Sequence, residues 1–162
     1  IDKSLSKISF EVPILFASNV RGFFNEFEGF VEIDLNNKIN NKAIFSVNID
    51  SINTNYKKYK TLLLSSVFFD SQKFPLSVLD TKSFNYKNEN ILALDVELTI
   101  KDRSKIIPIN LEIVKLSEDL VQIKGELSFL RSDFNVGTGN WKNTTILKDK
   151  VNLNYNVFLF RE

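Results

Sequence analysis

Residues 91–100 read Ile-Leu-Ala-Leu-Asp-Val-Glu-Leu-Thr-Ile, and here Leu92, Leu94, Val96, Leu98 and Ile100 alternate with Ala93, Asp95, Glu97 and Thr99. Successive side chains of an extended chain point to opposite faces, so this run has one dry face and one wet one. That is the signature of an antiparallel strand covered on one side only. The next segment repeats the period, with Ile107, Ile109, Leu111 and Ile113 opposed to Pro108, Asn110 and Glu112. Two more follow: Val121, Ile123, Leu127 and Phe129 against Gln122, Lys124, Glu126 and Ser128, then Val151, Leu153, Tyr155, Val157 and Leu159 against Asn152, Asn154 and Asn156.

Upstream the pattern is shorter but the same, in Ile8-Phe10-Val12, Val31-Ile33-Leu35 and Phe45-Val47-Ile49, with a further strand over Leu76 to Thr81. Turn-forming residues separate many of the segments: Asn36-Asn37 with Asn40-Asn41, Lys87-Asn88-Glu89-Asn90, and Ser117-Glu118-Asp119. About eight closely spaced strands of this kind predict an all-β barrel or sandwich. One segment departs from period two. Tyr56, Tyr59, Leu62, Leu63 and Val67 recur at three and four, which predicts a single helix over 55–67 with Thr54 as its cap. Three consecutive leucines, Leu62 to Leu64, exceed what one face needs, so the helix is expected to be sandwiched or to lie across an apolar opening.

The chain has 162 residues, no shift in composition and no Pro/Gly-rich linker, and it reads as one domain over 1–162. It contains no His, Cys or Met. That excludes a Ser-His-Asp triad, a cysteine nucleophile, and zinc or haem held by imidazole or sulfur. Twenty-one Lys and Arg face twenty Asp and Glu, interspersed along the sequence, which argues against nucleic acid or an anionic membrane as a partner. No apolar run approaches the roughly 20 residues of a membrane-spanning helix. The chain starts at Ile1 without an initiator Met, and the expectation is a removed signal peptide or leader.

Eight strands of this length close into a barrel that holds either its own side chains or one small ligand. Periodicity leaves both readings open: a packed core, or a tube for an apolar molecule. In the second reading the inward rows Val31, Ile33, Phe45, Val47, Ile49, Leu94, Val96, Leu98, Leu127, Phe129, Tyr155 and Val157 line the tube. Leu62, Leu63 and Phe68 close one side, and Trp141, in Gly137-Thr138-Gly139-Asn140-Trp141, covers one mouth. Arg131 continues the inward parity of Leu127 and Phe129 and is expected to pair with Asp133 or another carboxylate, or to hold a ligand's polar head. Phe23, Phe24 and Phe27 around Asn25-Glu26 read as an aromatic-rich hairpin. Phe30, Ile44, Leu130, Phe158 and Phe160 point away from the apolar rows and mark a homodimer surface.

The run Phe68-Phe69-Asp70-Ser71-Gln72-Lys73-Phe74-Pro75, after a helix that follows Ile49-Asp50-Ser51-Ile52-Asn53-Thr54, resembles the YceI-like family of lipocalin-like lipid-binding proteins. Other matches fall in the same order: Ile1-Asp2 through Ser6, Phe10-Glu11-Val12, Val20-Arg21-Gly22-Phe23 and Phe27-Glu28-Gly29. Leu98-Thr99-Ile100-Lys101 with Lys105, and Arg131-Ser132-Asp133-Phe134-Asn135-Val136, complete the series. The sequence also departs from the family. An Arg-Asp-x-His-Leu stretch on the family helix is here Tyr59, Lys60, Thr61, Leu62 and Leu63. Histidines near the N-terminus are replaced by Leu5 and Ile14, and glycines after Lys101 and Phe134 are Asp102 and Asn135. The resemblance therefore brings no polar or metal role to those positions. It implies an exported, periplasmic or secreted, eight-stranded antiparallel lipocalin-like barrel. The implied ligand, held non-covalently, is a polyisoprenoid, an isoprenoid quinone or a fatty-acid derivative.

Two other classes compete. An enzyme would have to use carboxylates such as Asp95, Glu97 and Glu126, which the alternation places on the wet face. An outer-membrane barrel would show an apolar outside and a polar lumen, the reverse of the expected tube.

Overall fold

The computed structural model describes residues 1–34, 39–87 and 89–161. Leu35, the Asn36-Asn37 turn and Asn88 lie outside the described residues. Ten strands form one antiparallel sheet: β1 Lys7–Val12, β2 Val20–Phe24, β3 Phe27–Glu32, β4 Lys42–Asn48, β5 Ile52–Thr54, β6 Leu76–Asp80, β7 Ile91–Ile100, β8 Arg103–Lys115, β9 Leu120–Leu130 and β10 Lys150–Phe160. Their order is β3-β4-β6-β7-β8-β9-β10-β1-β2-β5.

Ten strands stand where eight are expected because two runs are bent. β2 and β3 are separated only by Asn25-Glu26, and β4 and β5 only by a 3₁₀ turn over Ile49–Ser51. The expected aromatic hairpin at Phe23 to Phe27 is therefore a bend within one long strand. The backbone N–H of Asn25 donates to the Ser51 carbonyl and that of Glu26 to Ser51 Oγ, so the two bends face each other. The bends also curl the sheet. β2 pairs with β5 at one end of this long hairpin and β3 with β4 at the other, so both edges of the strand order belong to the same hairpin.

The ladder β7–β8 runs unbroken from Ile91↔Glu112 to Ile100↔Arg103. β8 pairs with β9 only from Lys115↔Val121 to Asn110↔Glu126, and Pro108, which has no N–H to donate, sits just past its end. Beyond that point the strands part, and a 3₁₀ turn over Arg131–Phe134 follows β9 there. Asn135 closes the turn at φ 53°. A left-handed backbone favours glycine, and Asn is the non-glycine residue that best tolerates it.

The helix, α1 Lys57–Leu64, is shorter than expected. Thr54 does not cap it. Its hydroxyl donates to the Tyr56 carbonyl, and Tyr56 itself occupies the cap position without a side-chain bond. Ser65 ends the helix, its Oγ donating to the Leu62 carbonyl. Strand directions place α1, the loop 13–19 and the loop 135–149 at one end of the barrel.

Candidate functional site

Inward parity along the strands yields two kinds of surroundings. Ile8, Phe10, Val20, Phe24, Ile49, Leu98, Ile109, Leu127 and Val157 are buried, as core residues should be. Val31, Phe45, Val47, Leu94, Leu111, Phe129, Leu153 and Tyr155 point the same way yet are only half-buried. Inward apolar side chains that stay partly uncovered border a hollow, and the structure holds one: an elongated cavity of about 370 Å³ that reaches both ends of the sheet. This volume lies in the usual range of small-molecule pockets. A ten-residue strand such as β7, tilted as barrel strands are, gives a wall roughly 25 Å tall.

Leu62 and Leu63 of α1 and Phe68 beyond it border the cavity, and no residue of α1 is fully buried, because the helix covers a hollow instead of a packed core. Trp141, on a 3₁₀ turn over Gly139–Lys142, borders it too, its ring 5.6 Å from that of Phe68. Of the tube residues expected from periodicity, Val31, Ile33, Phe45, Val47, Ile49, Leu94, Leu98, Leu127, Phe129, Tyr155 and Val157 all line it. Val96 does not. It is 0% exposed and pairs with buried Ile107, just past the point where β8 and β9 part. The sequence reading missed Ile8, Phe10, Val12, Val20 and Phe24 as lining, although their own alternation carries the needed parity.

Besides Tyr59 and Trp141, four lining residues bring polar groups to this apolar space: Thr81, Tyr155, Arg131 and Ser77. Thr81 is satisfied: its Oγ1 accepts the Ala43 N–H at 2.8 Å and donates to the Lys82 carbonyl at 3.0 Å. Tyr155 crosses over Gly125 of the adjacent strand and donates its hydroxyl to the Asn110 carbonyl at 3.4 Å. A Cβ at Gly125 would collide with that hydroxyl, which is why glycine stands there. Burial pushes the Tyr155 phenol up to about 12.

Arg131 is only 2% exposed and takes carbonyls instead of the expected Asp133 carboxylate. Its guanidinium donates to Lys148 and Val136 and Leu147 oxygens, each at 3.0 Å, with longer bonds to Gly137 and Asn143. Asp133 instead faces Lys105 at 3.9 Å. Only the stem of Arg131 is left to border the cavity, because its head clips the loop 136–148 in place. Burial lowers its pKa, with the charge of Asp149 acting the other way. Gly137, at φ 86°, lies against the guanidinium, where a side chain would displace it.

Ser77 differs from the other three. It faces inward on β6 opposite Val47, is 9% exposed, and its Oγ has no hydrogen-bond partner, the one such buried side-chain oxygen or nitrogen among the described residues. Unsatisfied buried hydroxyls are uncommon and call for a physical reason. Periodicity over 76–81 would have shown its parity, but a lone serine in an apolar row carries no other signal.

The candidate carboxylates are outside: Asp95 and Glu126 are exposed, and Glu97 accepts from Lys82 Nζ at 2.9 Å. Of the outward hydrophobics, Phe30 and Ile44 sit directly opposite each other on β3 and β4. Leu130 and Phe160 stand at opposite ends of the β9–β10 ladder, so the five do not form one patch. Among the described residues no helix is long and apolar enough to cross a membrane.

Residues 1–159 match the YceI-like domain. A UPF0312 protein of Vibrio cholerae is 25% identical over 114 residues, 70% of this chain and 60% of that protein, so the match covers less than two thirds of the relative. The crystal structure of Burkholderia cenocepacia BcnA superposes with a TM-score of 0.88 at 23% identity, covering 98% of each chain. A polyisoprenoid binding domain from Saccharophagus degradans, implicated in plant cell wall breakdown, superposes with a TM-score of 0.79 at 12% identity, covering 99% of this chain and 97% of that one. At these identities the superpositions establish the lipocalin-like, antiparallel β fold.

Proposed function

The chain belongs to the YceI-like family, and on that premise we propose that it binds and carries or stores a long apolar molecule inside its barrel. The single observation that carries this reading is the hollow of about 370 Å³ bordered by half-buried aliphatic and aromatic side chains. Placing about ten methylenes there would contribute on the order of 8 kcal/mol before ordering costs, enough for micromolar affinity if those costs are small. The ligand class is a polyisoprenoid, an isoprenoid quinone or a fatty-acid derivative. The description of the Saccharophagus domain as polyisoprenoid-binding supports the class.

The lone hydroxyl of Ser77 supports a chain bearing one oxygen, as donor or acceptor, over a pure hydrocarbon. The residues proposed to touch the ligand are Val31, Phe45, Val47, Leu62, Leu63, Leu94, Phe129 and Tyr155, with Ser77 as the polar contact. Arg131 is left out, since its donors are already engaged. Binding without catalysis is the proposed activity, and an exported, periplasmic location is part of the same reading.

The test is native mass spectrometry of protein purified from its own host, followed by solvent extraction. A stoichiometric adduct that yields a long-chain oxygenated lipid is expected. Protein that stays ligand-free both from its host and after incubation with polyprenols, quinones and fatty-acid amides would reduce the hollow to a packing defect.

A further inference from the structure

Charges interspersed along the sequence are less evenly spread in space. Three segments meet at the end of the barrel that carries α1: the loop 13–19, the stretch 55–64 and the loop 137–148. Together they hold Lys57, Lys58, Lys60, Lys142 and Lys148; the carboxylates of the same end are Asp149, which accepts from Ser132, Asp133, which faces Lys105, and Asp102 on the β7–β8 turn. At the other end both signs occur, with Lys115 beside Glu118 and Asp119, and Lys87 near Glu89.

The same lysine-rich end carries a projecting apolar tip. Phe16 is 98% exposed, with its backbone at φ 59°, a conformation unusual for an aromatic residue. Its loop is tied down on both sides. The Leu15 N–H donates to the Ile146 carbonyl at 2.9 Å, the Lys148 N–H to the Pro13 carbonyl at 3.0 Å, and Ile14 bridges Leu147. Ile146, 63% exposed, therefore stands beside the Phe16 loop. The Asn55 side chain, which donates to the Asn19 carbonyl at 3.2 Å, brings exposed Tyr56 to the same rim. Ile146 and Trp141 also border the cavity, so two exposed apolar side chains of this end adjoin the hollow.

We propose that this end of the barrel docks on an anionic lipid bilayer, with Phe16 and Ile146 inserted at the headgroup boundary and the surrounding lysines over the charged surface. A scattered exposed hydrophobe needs no explanation. A nearly naked Phe held on an anchored loop, beside exposed Ile146 and on the same rim as Tyr56 and the five lysines, is the arrangement of an interfacial anchor. Aromatic rings settle at the membrane interface, long lysine stems let the ammonium groups reach the phosphates, and clustered basic residues respond to anionic lipid. Charge decides the occupant: the five lysines outnumber the flanking Asp102, Asp133 and Asp149, a balance that complements an anionic surface and repels a second copy of the same end. Docking goes beyond ligand binding and does not require it, because the anchor residues lie on the rim.

The experiment is co-sedimentation of the protein with vesicles of phosphatidylcholine alone and of phosphatidylcholine with phosphatidylglycerol. The protein is expected to pellet with the anionic vesicles at low salt and to be released as salt rises. The double substitution Phe16→Ser with Ile146→Ser should weaken this by about tenfold or more. Lys57→Glu with Lys58→Glu should remove most of its salt sensitivity. Each variant is checked for an unchanged melting temperature, expected because all four residues are exposed. Val47→Phe, which fills the cavity, should pellet like the parent, which separates docking from ligand binding. The proposal is overturned if the parent stays in solution with anionic vesicles at low salt, if it binds both vesicle types equally, if the Phe16/Ile146 variant binds undiminished, or if this end instead mediates dimerisation without lipid.

Discussion

Val96 and Val47 both face inward on neighbouring parts of one sheet, yet one is sealed and the other borders open space. Val96 is sealed: it is 0% exposed and pairs with buried Ile107, while Phe134, equally buried, packs edge-on at 5.4 Å behind Phe129, which borders the cavity. Around Val47 the interior is hollow, with Phe45, Leu94 and Ser77 sharing the cavity. The difference teaches that a barrel interior is not one environment. Where β8 and β9 part, Val96 and the turn's Phe134 are wholly buried. Where the bent strands β2–β3 and β4–β5 bow the wall, the side chains do not meet across the middle.

The filled side should give the largest stability losses. Phe134→Ala is expected to cost about 3–5 kcal/mol, because it opens a void in packed core, whereas Val47→Ala should cost about 1 kcal/mol or less. Urea unfolding of both variants measures the contrast, and equal losses would break the distinction between the two regions. Ligand affinity should survive Phe134→Ala wherever the variant folds, since Phe134 does not line the cavity.

Next comes the clip between the regions. Arg131→Met strips donors from buried carbonyls of the loop 136–148 and should destabilise the protein by about 3 kcal/mol. Protease digestion should then find its first cuts in that loop. Cuts distributed as in the parent would show that Arg131 does not hold it.

A smaller effect belongs to Tyr155, on the hollow side. Its folded pKa of about 12 exceeds the ordinary phenol value, so between those values the unfolded chain has lost a proton that the native state keeps. Stability from this group is complete below about pH 10 and falls as pH rises toward 12. Unfolding measured across that window should decline less steeply in Tyr155→Phe. An identical decline would place the phenol in water.

The smallest stability effect should come from Ser77→Ala. No bond is lost, and a buried unsatisfied hydroxyl is removed, so the change should lie within about 1 kcal/mol of zero or be stabilising. Affinity for an oxygenated lipid should drop while affinity for a hydrocarbon of equal length holds. A clear destabilisation would mean that Ser77 already has a partner.

Much of this was legible in the residues and some was not. The alternation of Leu92 to Ile100 and of Val151 to Leu159 gave the strands and their inward faces, because parity is a local property of extended chain. The same parity cannot separate Leu94 from Val96, since the distance across a barrel depends on strands remote in sequence. The Asn25-Glu26 bend looked like a hairpin because local signals show where a strand is interrupted, not whether the chain then reverses. Thr54 looked like a cap until its hydroxyl turned to the Tyr56 carbonyl. The partners of Arg131 are backbone oxygens from an aperiodic loop, which leave no trace in side-chain identity. The lysine cluster emerged only once three distant segments shared one end.

The central claim is that the hollow accepts a long apolar chain, and Trp141, the sole tryptophan, borders it as a built-in reporter. The most direct measurement is a fluorescence titration of parent and Val47→Phe with a long-chain polyprenol. The account predicts saturable binding at micromolar concentration or tighter in the parent and at least about tenfold weaker binding in the folded Val47→Phe variant, whose larger ring narrows the tube. No binding by the parent, or equal binding by both, would contradict it.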